Sequence, residues 1–187
     1  RTVKEFVDMA KANPGKLNFG SGGAGSPAHL AAEAFRQATG IDYVHVPYKG
    51  APEIVRALFS DQVQVGFPTF ETALGLVQQK TLRALATTGS KRSRQLPDTP
   101  TLLEALPDGF SLEGWLGLVA PAGTPPEVGT AIVAALTNAL KDPAFREQLE
   151  SGGSDIDFRA GPEFGAILPG ELVKWRKLVE GVGAKVE

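Results

Sequence analysis

An α/β fold, with a parallel sheet covered by helices on both faces, is predicted by three observations in the first half of this 187-residue sequence. Apolar spacing alternates between helical and strand periods as far as Gly89. The connections between those stretches are short. The third is the passage from the apolar stretch Leu17–Phe19 through "GSGGAG" directly into a helix with a capped start.

In order along the chain, Val3, Phe6, Val7 and Ala10 recur at helical spacing, and "NPGK" stops that helix before a short strand at Leu17–Phe19. Ser26 can cap the next helix and Pro27 suits its first turn, with Leu30, Ala31, Ala34, Phe35 and Ala38 as its apolar face. "TG" closes it, and "IDYVHVPY" reads as the second strand. Glu53–Phe59 is a short helix, "QVQVGF" alternates like a strand, Glu71–Gln79 returns to helix, and "LRALATT" reads as a further strand. Beyond Gly89 the rhythm loosens. "SKRSRQLPDTPTLLEALPDG" carries charge, prolines and one short helix, and Phe110–Ala120 is apolar enough for a long strand. "PAGTPP" then precedes a helix with Val128, Ile132, Leu136 and Leu140 four residues apart, and "KDPAF" introduces another. Asp155–Phe158 reads as a last strand and Phe164–Val179 as a terminal helix. A lobe boundary near Phe110–Leu118 is the most economical division.

Composition narrows the function classes. With 42% hydrophobic residues the chain can bury a core, and its net charge of -2, with no basic block, argues against a nucleic-acid partner. The absence of cysteine excludes disulfides, thiolate catalysis and thiolate metal sites, and suits an oxidising compartment without proving one. No apolar run approaches the roughly 20 residues that span a bilayer. "RTVKEFVDMAK" reads as an amphipathic helix rather than a signal peptide, so a targeting signal is expected upstream.

"GSGGAG" matches the glycine pattern of dinucleotide enzymes, but the acidic residue that should follow about 20 positions on, at the end of the next strand, is missing. The strand end there is Val46, Pro47 and Tyr48, so a nicotinamide cofactor is not expected. What remains is physical: Gly20, Gly22, Gly23 and Gly25 allow unusual dihedrals and keep side chains away from backbone amides. Ser21 and Ser26 add hydroxyls, and the Ala28 and His29 amides lie at the positive end of a helix dipole. Such a loop favours a carboxylate or phosphate, and the alternative is a tight, capped strand-to-helix turn with no ligand. His29 could donate to an anion or serve as a capping and packing residue, while His45, inside a strand, reads as structural. Lys49 in "VPYKG" could offset a ligand's charge or stand in solvent. Tyr48, Thr69 and Thr88 lie at or near successive strand ends, where uncharged donors can orient a carboxylate. Two histidines without HExxH spacing make a poor metal site. No serine has the GxSxG elbow, which disfavours a hydrolase.

Three stretches, "ANPGKLNFGSGGAGSPAHLAAEAFRQATGIDYVHVPYKG", "LRALATTGSKRSRQLPDTPTLLEA" and "GLVAPAGTPPEV", resemble in order the tripartite tricarboxylate transporter receptor family, the periplasmic solute-binding Bug proteins. The resemblance implies a two-lobed fold of the type II periplasmic-binding-protein class. It implies a non-enzymatic receptor without a cofactor, which captures a small organic carboxylate and hands it to membrane permease subunits. Members are longer, so the chain is expected to be truncated at the N-terminus. Residues 1–110 would then form an α/β ligand-binding lobe, and 111–187 a crossover strand and the C-terminal portion of the other lobe. Self-association is conceivable through apolar surface left uncovered on that second portion. Ser21, Gly25, Ser26 and His29 match the family's ligand loop, with Gly22 where a second serine is frequent. Pro68 stands where the family often has aspartate. The ligand-binding set implied is Ser21, Gly22, Gly23, Gly25, Ser26, His29, Tyr48, Thr69 and Thr88, and the competing class is an enzyme acting on a small anionic metabolite.

Overall fold

A computed structural model of the chain describes residues 2–181. Helix α1 (Val3–Ala12) begins with a reciprocal capping box, in which the Thr2 hydroxyl accepts from the Glu5 amide and the Glu5 carboxylate accepts from the Thr2 amide. Its apolar face, Val3, Val7 and Ala10, is buried. Strand β1 (Asn18–Ser21) follows, then α2 (Pro27–Thr39), capped by Ser26 and closed by Gly40 in the left-handed region. Next come β2 (Val44–Pro47), α3 (Ala51–Phe59), β3 (Val65–Gly66) and α4 (Phe70–Gln78).

The three strands are parallel in the order β2-β1-β3, with Phe19 opposite both His45 and Val65. Side chains alternate across the sheet. Phe19 packs with Tyr43 and Phe67, and Phe67 in turn meets Phe35 of α2, so this face looks onto α2. On the other face β1 and β3 carry Gly20 and Gly66. A Cβ at Gly66 would lie 3.0 Å from the Ile54 Cγ2 of α3, and one at Gly20 would lie 3.2 Å from the same methyl. The missing side chains are what let α3 sit against the backbone. Val3, Val7, Ala10, Leu17, Phe35, Ile41 and Leu102 form the buried cluster between α1, α2 and the sheet's first strand. A further short helix, α5 (Leu102–Ala105), starts with a second capping box, Thr101 and Glu104, the latter paired with Arg92.

The chain divides into two compact units, one of Arg1–Glu113 with Trp175–Glu187 and one of Gly114–Lys174. Within the first, the Gln37 side-chain amide donates to the Gly181 carbonyl at 2.6 Å. The second contains α6 (Pro126–Ala139), α7 (Pro143–Ser151) and most of α8 (Pro162–Gly181). Its Trp115 meets the Phe164 ring edge-on at 5.2 Å and donates from Nε1 to Glu171.

Three expected strands do not form ladders among the described residues. "LRALATT" contributes one bridge, Thr87 to Thr101, while Phe110–Ala120 and Asp155–Phe158 pair with nothing that would make them strands. A strand exists only through a neighbour's backbone groups, which periodicity in one segment cannot supply. Leu116, Leu118 and Val119 accordingly stay exposed.

Candidate functional site

The parallel order gathers three loops at the carboxyl edge of the sheet: residues 22–26 after β1, 48–50 after β2 and 67–69 after β3. The chain runs from β1 outward to β2, then crosses back past β1 to reach β3, so the winding reverses between β1 and β3. In open α/β sheets, ligands bind outside the strand ends at such a reversal. The central loop is the glycine-rich one.

That loop is held from within. Ser21 is fully buried, and its hydroxyl accepts from the Gly23 amide at 3.1 Å. The Ser26 amide donates to the Gly23 carbonyl, and the Gly25 amide donates to His29 Nδ1 at 3.1 Å. Gly23 and Gly25 have φ of 104° and 74°, a region costly for residues with a Cβ. The Ser26 hydroxyl accepts from the His29 amide at 3.2 Å, which caps α2 through an oxygen lone pair and leaves the hydroxyl proton for another acceptor. Among the described residues nothing accepts from the Gly22, Ala24 or Ala28 amides. These amides and the Ser26 hydroxyl are donors set at the positive end of a helix dipole, an arrangement whose chemistry suits an anion.

Behind the loop stands a histidine pair. The His29 and His45 rings stack, 4.4 Å apart and inclined by 15°, and His45 Nε2 shares a short hydrogen bond with the Ser21 hydroxyl. Because His29 Nδ1 accepts from Gly25, its neutral ring carries the proton on Nε2. Burial, followed by the neighbouring His29, lowers the His45 pKa against the pull of Glu33. Glu33, buried on α2, accepts from the Tyr43 hydroxyl and pairs with Arg36, both at 2.6 Å. Burial pushes its carboxyl up, but those two hydrogen bonds and the Arg36 charge outweigh it and hold Glu33 below its ordinary value. Burial, together with Glu33, drives the Tyr43 hydroxyl far upward.

The residues anticipated from sequence fall into two sets. Ser21, Gly22, Gly23, Gly25, Ser26 and His29 form one continuous loop, and Tyr48 adjoins it: the Tyr48 amide donates to the Ser21 carbonyl at 2.7 Å. A Cβ on Gly22 would lie 3.9 Å from the Gly50 Cα, which shows how closely the two loops approach. Thr69 starts α4 at the same sheet edge, and its hydroxyl bonds to that of Thr72. Thr88 stands apart from the three-stranded sheet, its carbonyl accepting from the Leu112 amide. Sequence reading placed the Gly50 turn beside the glycine loop at the carboxyl edge of the sheet, as the structure has it, and passed over the contact of His45 with Ser21. That contact arises from parallel registry, which places Ser21 opposite Pro47 and Phe19 opposite His45, and no local pattern carries it.

The Ser21–His45 contact has the form of a nucleophile and base, yet Ser21 has no exposed surface and its hydroxyl is engaged with the Gly23 backbone. A substrate carbonyl could not reach it.

A family model described as "Tripartite tricarboxylate transporter family receptor" matches residues 1–184. The UPF0065 protein in the gbd 5' region of Cupriavidus necator is 34% identical over 183 residues, 98% of this chain and 55% of the relative. Among solved structures, R. palustris Rpa4515 with adipate superposes with a TM-score of 0.91 at 27% identity, covering 98% of this chain and 61% of that one. MatC (Rpa3494) from Rhodopseudomonas palustris with bound malate gives 0.84 at 26% identity, covering 96% and 62%. The chain thus spans a little over half the length of the sequence relative it matches. The chain shares its α/β architecture with these structures and with the periplasmic binding protein BugD, which superposes with a TM-score of 0.89 at 27% identity, covering 100% of this chain and 63% of that one.

Proposed function

This chain belongs to the tripartite tricarboxylate transporter receptor family, and from that membership we propose that it carries the anion-holding loop of a receptor for a small organic carboxylate. The receptor works in the periplasm and passes its solute, chemically unchanged, to the membrane permease subunits of a tripartite transporter. The observation that carries the reading is the glycine-rich turn at the sheet's switch point. There, among the described residues, nothing accepts from the Gly22, Ala24 and Ala28 amides or the Ser26 hydroxyl proton at the start of a 13-residue helix. The carboxylates held by two structural neighbours, adipate and malate, support the ligand class.

Recognition here rests on uncharged donors. A carboxylate oxygen takes charge-assisted hydrogen bonds from amides that are already oriented, so little ordering accompanies binding. His29 Nε2–H is a further donor at the same helix turn. Tyr48, Thr69 and Thr88 are proposed as the outer contacts, with Tyr48 the nearest to the loop. Such binding is reversible, as delivery to a permease requires.

Mass spectrometry of ligand retained through gentle purification of the full-length receptor, followed by calorimetric titration with adipate and malate, tests the proposal. A retained or titrating carboxylate, recovered intact, is the expected result. Catalytic turnover of the acid, or absence of binding by any small carboxylate, would refute it.

A further inference from the structure

Ser21, His45, His29 and Gly25 form a continuous chain of contacts behind the glycine loop. His45 reaches Ser21 from β2, His29 stacks on His45 from the first turn of α2, and the Gly25 amide comes to rest on His29 Nδ1. The loop is therefore gripped at both ends by one pair of rings. We infer that His45 is a positioning residue for the ligand loop, holding its anion-receptive shape by anchoring Ser21 and by stacking on the ring that receives the Gly25 amide. The inference rests on the carboxylate-receptor reading for what the loop is for, while the geometry it invokes stands without a ligand.

A consequence follows from the hydrogen-bond directions. An imidazolium donates from both nitrogens and accepts at neither. Protonating His29 at Nδ1 would turn its face of acceptance into a second donor pointing at the Gly25 N–H, and that contact must open. His45 differs, because the Ser21 hydroxyl can accept from it or donate to it. Two stacked rings 4.4 Å apart also oppose a charge on both. The charged group acting on both rings is Glu33 of α2, which Arg36 and Tyr43 hold in turn. From β1, Phe19 and Ser21 meet the pair, and neither titrates in this range. Glu33 is already satisfied by Tyr43 and Arg36, so it biases the pair by its charge alone. The ligand loop thus keeps its shape through a His29 ring that accepts at Nδ1 and a His45 ring that holds Ser21.

The two histidines are the only ones in the chain, which makes ring spectroscopy clean. Ring and amide ¹⁵N–¹H spectra of the chain would be recorded from about pH 8 to about pH 5, the range over which imidazoles titrate. The expected result is an Nε2–H tautomer for His29 at the upper end of that range. In H45F, which keeps a ring for the stack and removes the hydrogen bond, the Gly23 and Gly25 amide signals should be displaced at the upper pH. Adipate affinity should fall by about tenfold, equivalent to one charge-assisted hydrogen bond. A merely structural His45 would lower the melting temperature and leave those amides in place. An Nδ1–H tautomer for His29 in folded protein overturns the inference, and the unsubstituted chain decides this even if H45F does not fold. Adipate affinity unaffected by Ser26 substitution would refute the ligand-loop assignment alone and leave the ring and amide result standing.

Discussion

Ser26 has two duties that one substitution cannot separate and two can. Its oxygen accepts from the His29 amide at 3.2 Å, a single cap on a half-buried helix start, so replacement by alanine should cost about 1 kcal/mol of stability. For a chain of this length that is a fall of roughly 2–4 °C in melting temperature. If the hydroxyl proton also serves a carboxylate, a charge-assisted bond of about 1.5–3 kcal/mol is lost as well, and affinity drops by roughly tenfold or more. Ser26→Asp splits the two roles. Aspartate caps a helix as well as serine and suits the positive end of the dipole, so the melting temperature should stay near that of the parent. Its negative charge would stand where the ligand's belongs, and adipate binding should vanish. Thermal melts beside calorimetric titration with adipate read both effects. Undiminished affinity in Ser26→Asp would show that no anion sits at this helix start, and the argument from free amides would fail with it.

Gly23→Ala forces a Cβ onto a backbone with φ of 104° and should destabilise the loop by about 1–2 kcal/mol, seen as a lower denaturation midpoint. Unchanged stability would mean that the loop readily takes another path. Gly66→Ala places a methyl 3.0 Å from Ile54 Cγ2 and 3.3 Å from the Gly20 carbonyl oxygen. Overpacking of about 1–3 kcal/mol is expected in chemical denaturation, without direct effect on the loop's donors. Stability should also fall on mild acidification. The His45 pKa is depressed in the fold from its ordinary 6.5, so its contribution is complete above that pH and is lost as the pH drops through the folded value. Glu33, lowered from 4.5, continues the same trend at more acidic pH. Urea denaturation at a series of pH values checks this, and a flat profile from about pH 7 to about pH 5 would contradict the lowered His45 pKa.

Much of the molecule was legible from local pattern. The helices α1, α2, α3 and α4 were readable because each carries an apolar face at helical spacing, and α2 adds a serine cap, a proline in the first turn and a closing glycine. The glycine loop was readable as a tight turn into a capped helix for the same kind of reason, since positive φ and a capped helix start are properties of a few consecutive residues. The apolar segment Phe110–Ala120 shows where this kind of reading stops. Its pattern is that of a strand, yet strand formation depends on a partner's backbone groups at a distance the pattern does not encode.

The sequence by itself determined where helices start, where the chain can turn on glycine, and which residue types could hold an anion. Only tertiary structure decided that β1 lies between β2 and β3, which puts three loops on one edge with the winding reversed beside the central one. It also decided the roles of individual side chains. Parallel registry brings His45 against Ser21 across 24 positions of chain, burying the hydroxyl that seemed free to meet a ligand and leaving Ser26 with a proton to donate. Registry is a sum of backbone hydrogen bonds and packing over two strands, so no single stretch of residues can announce it.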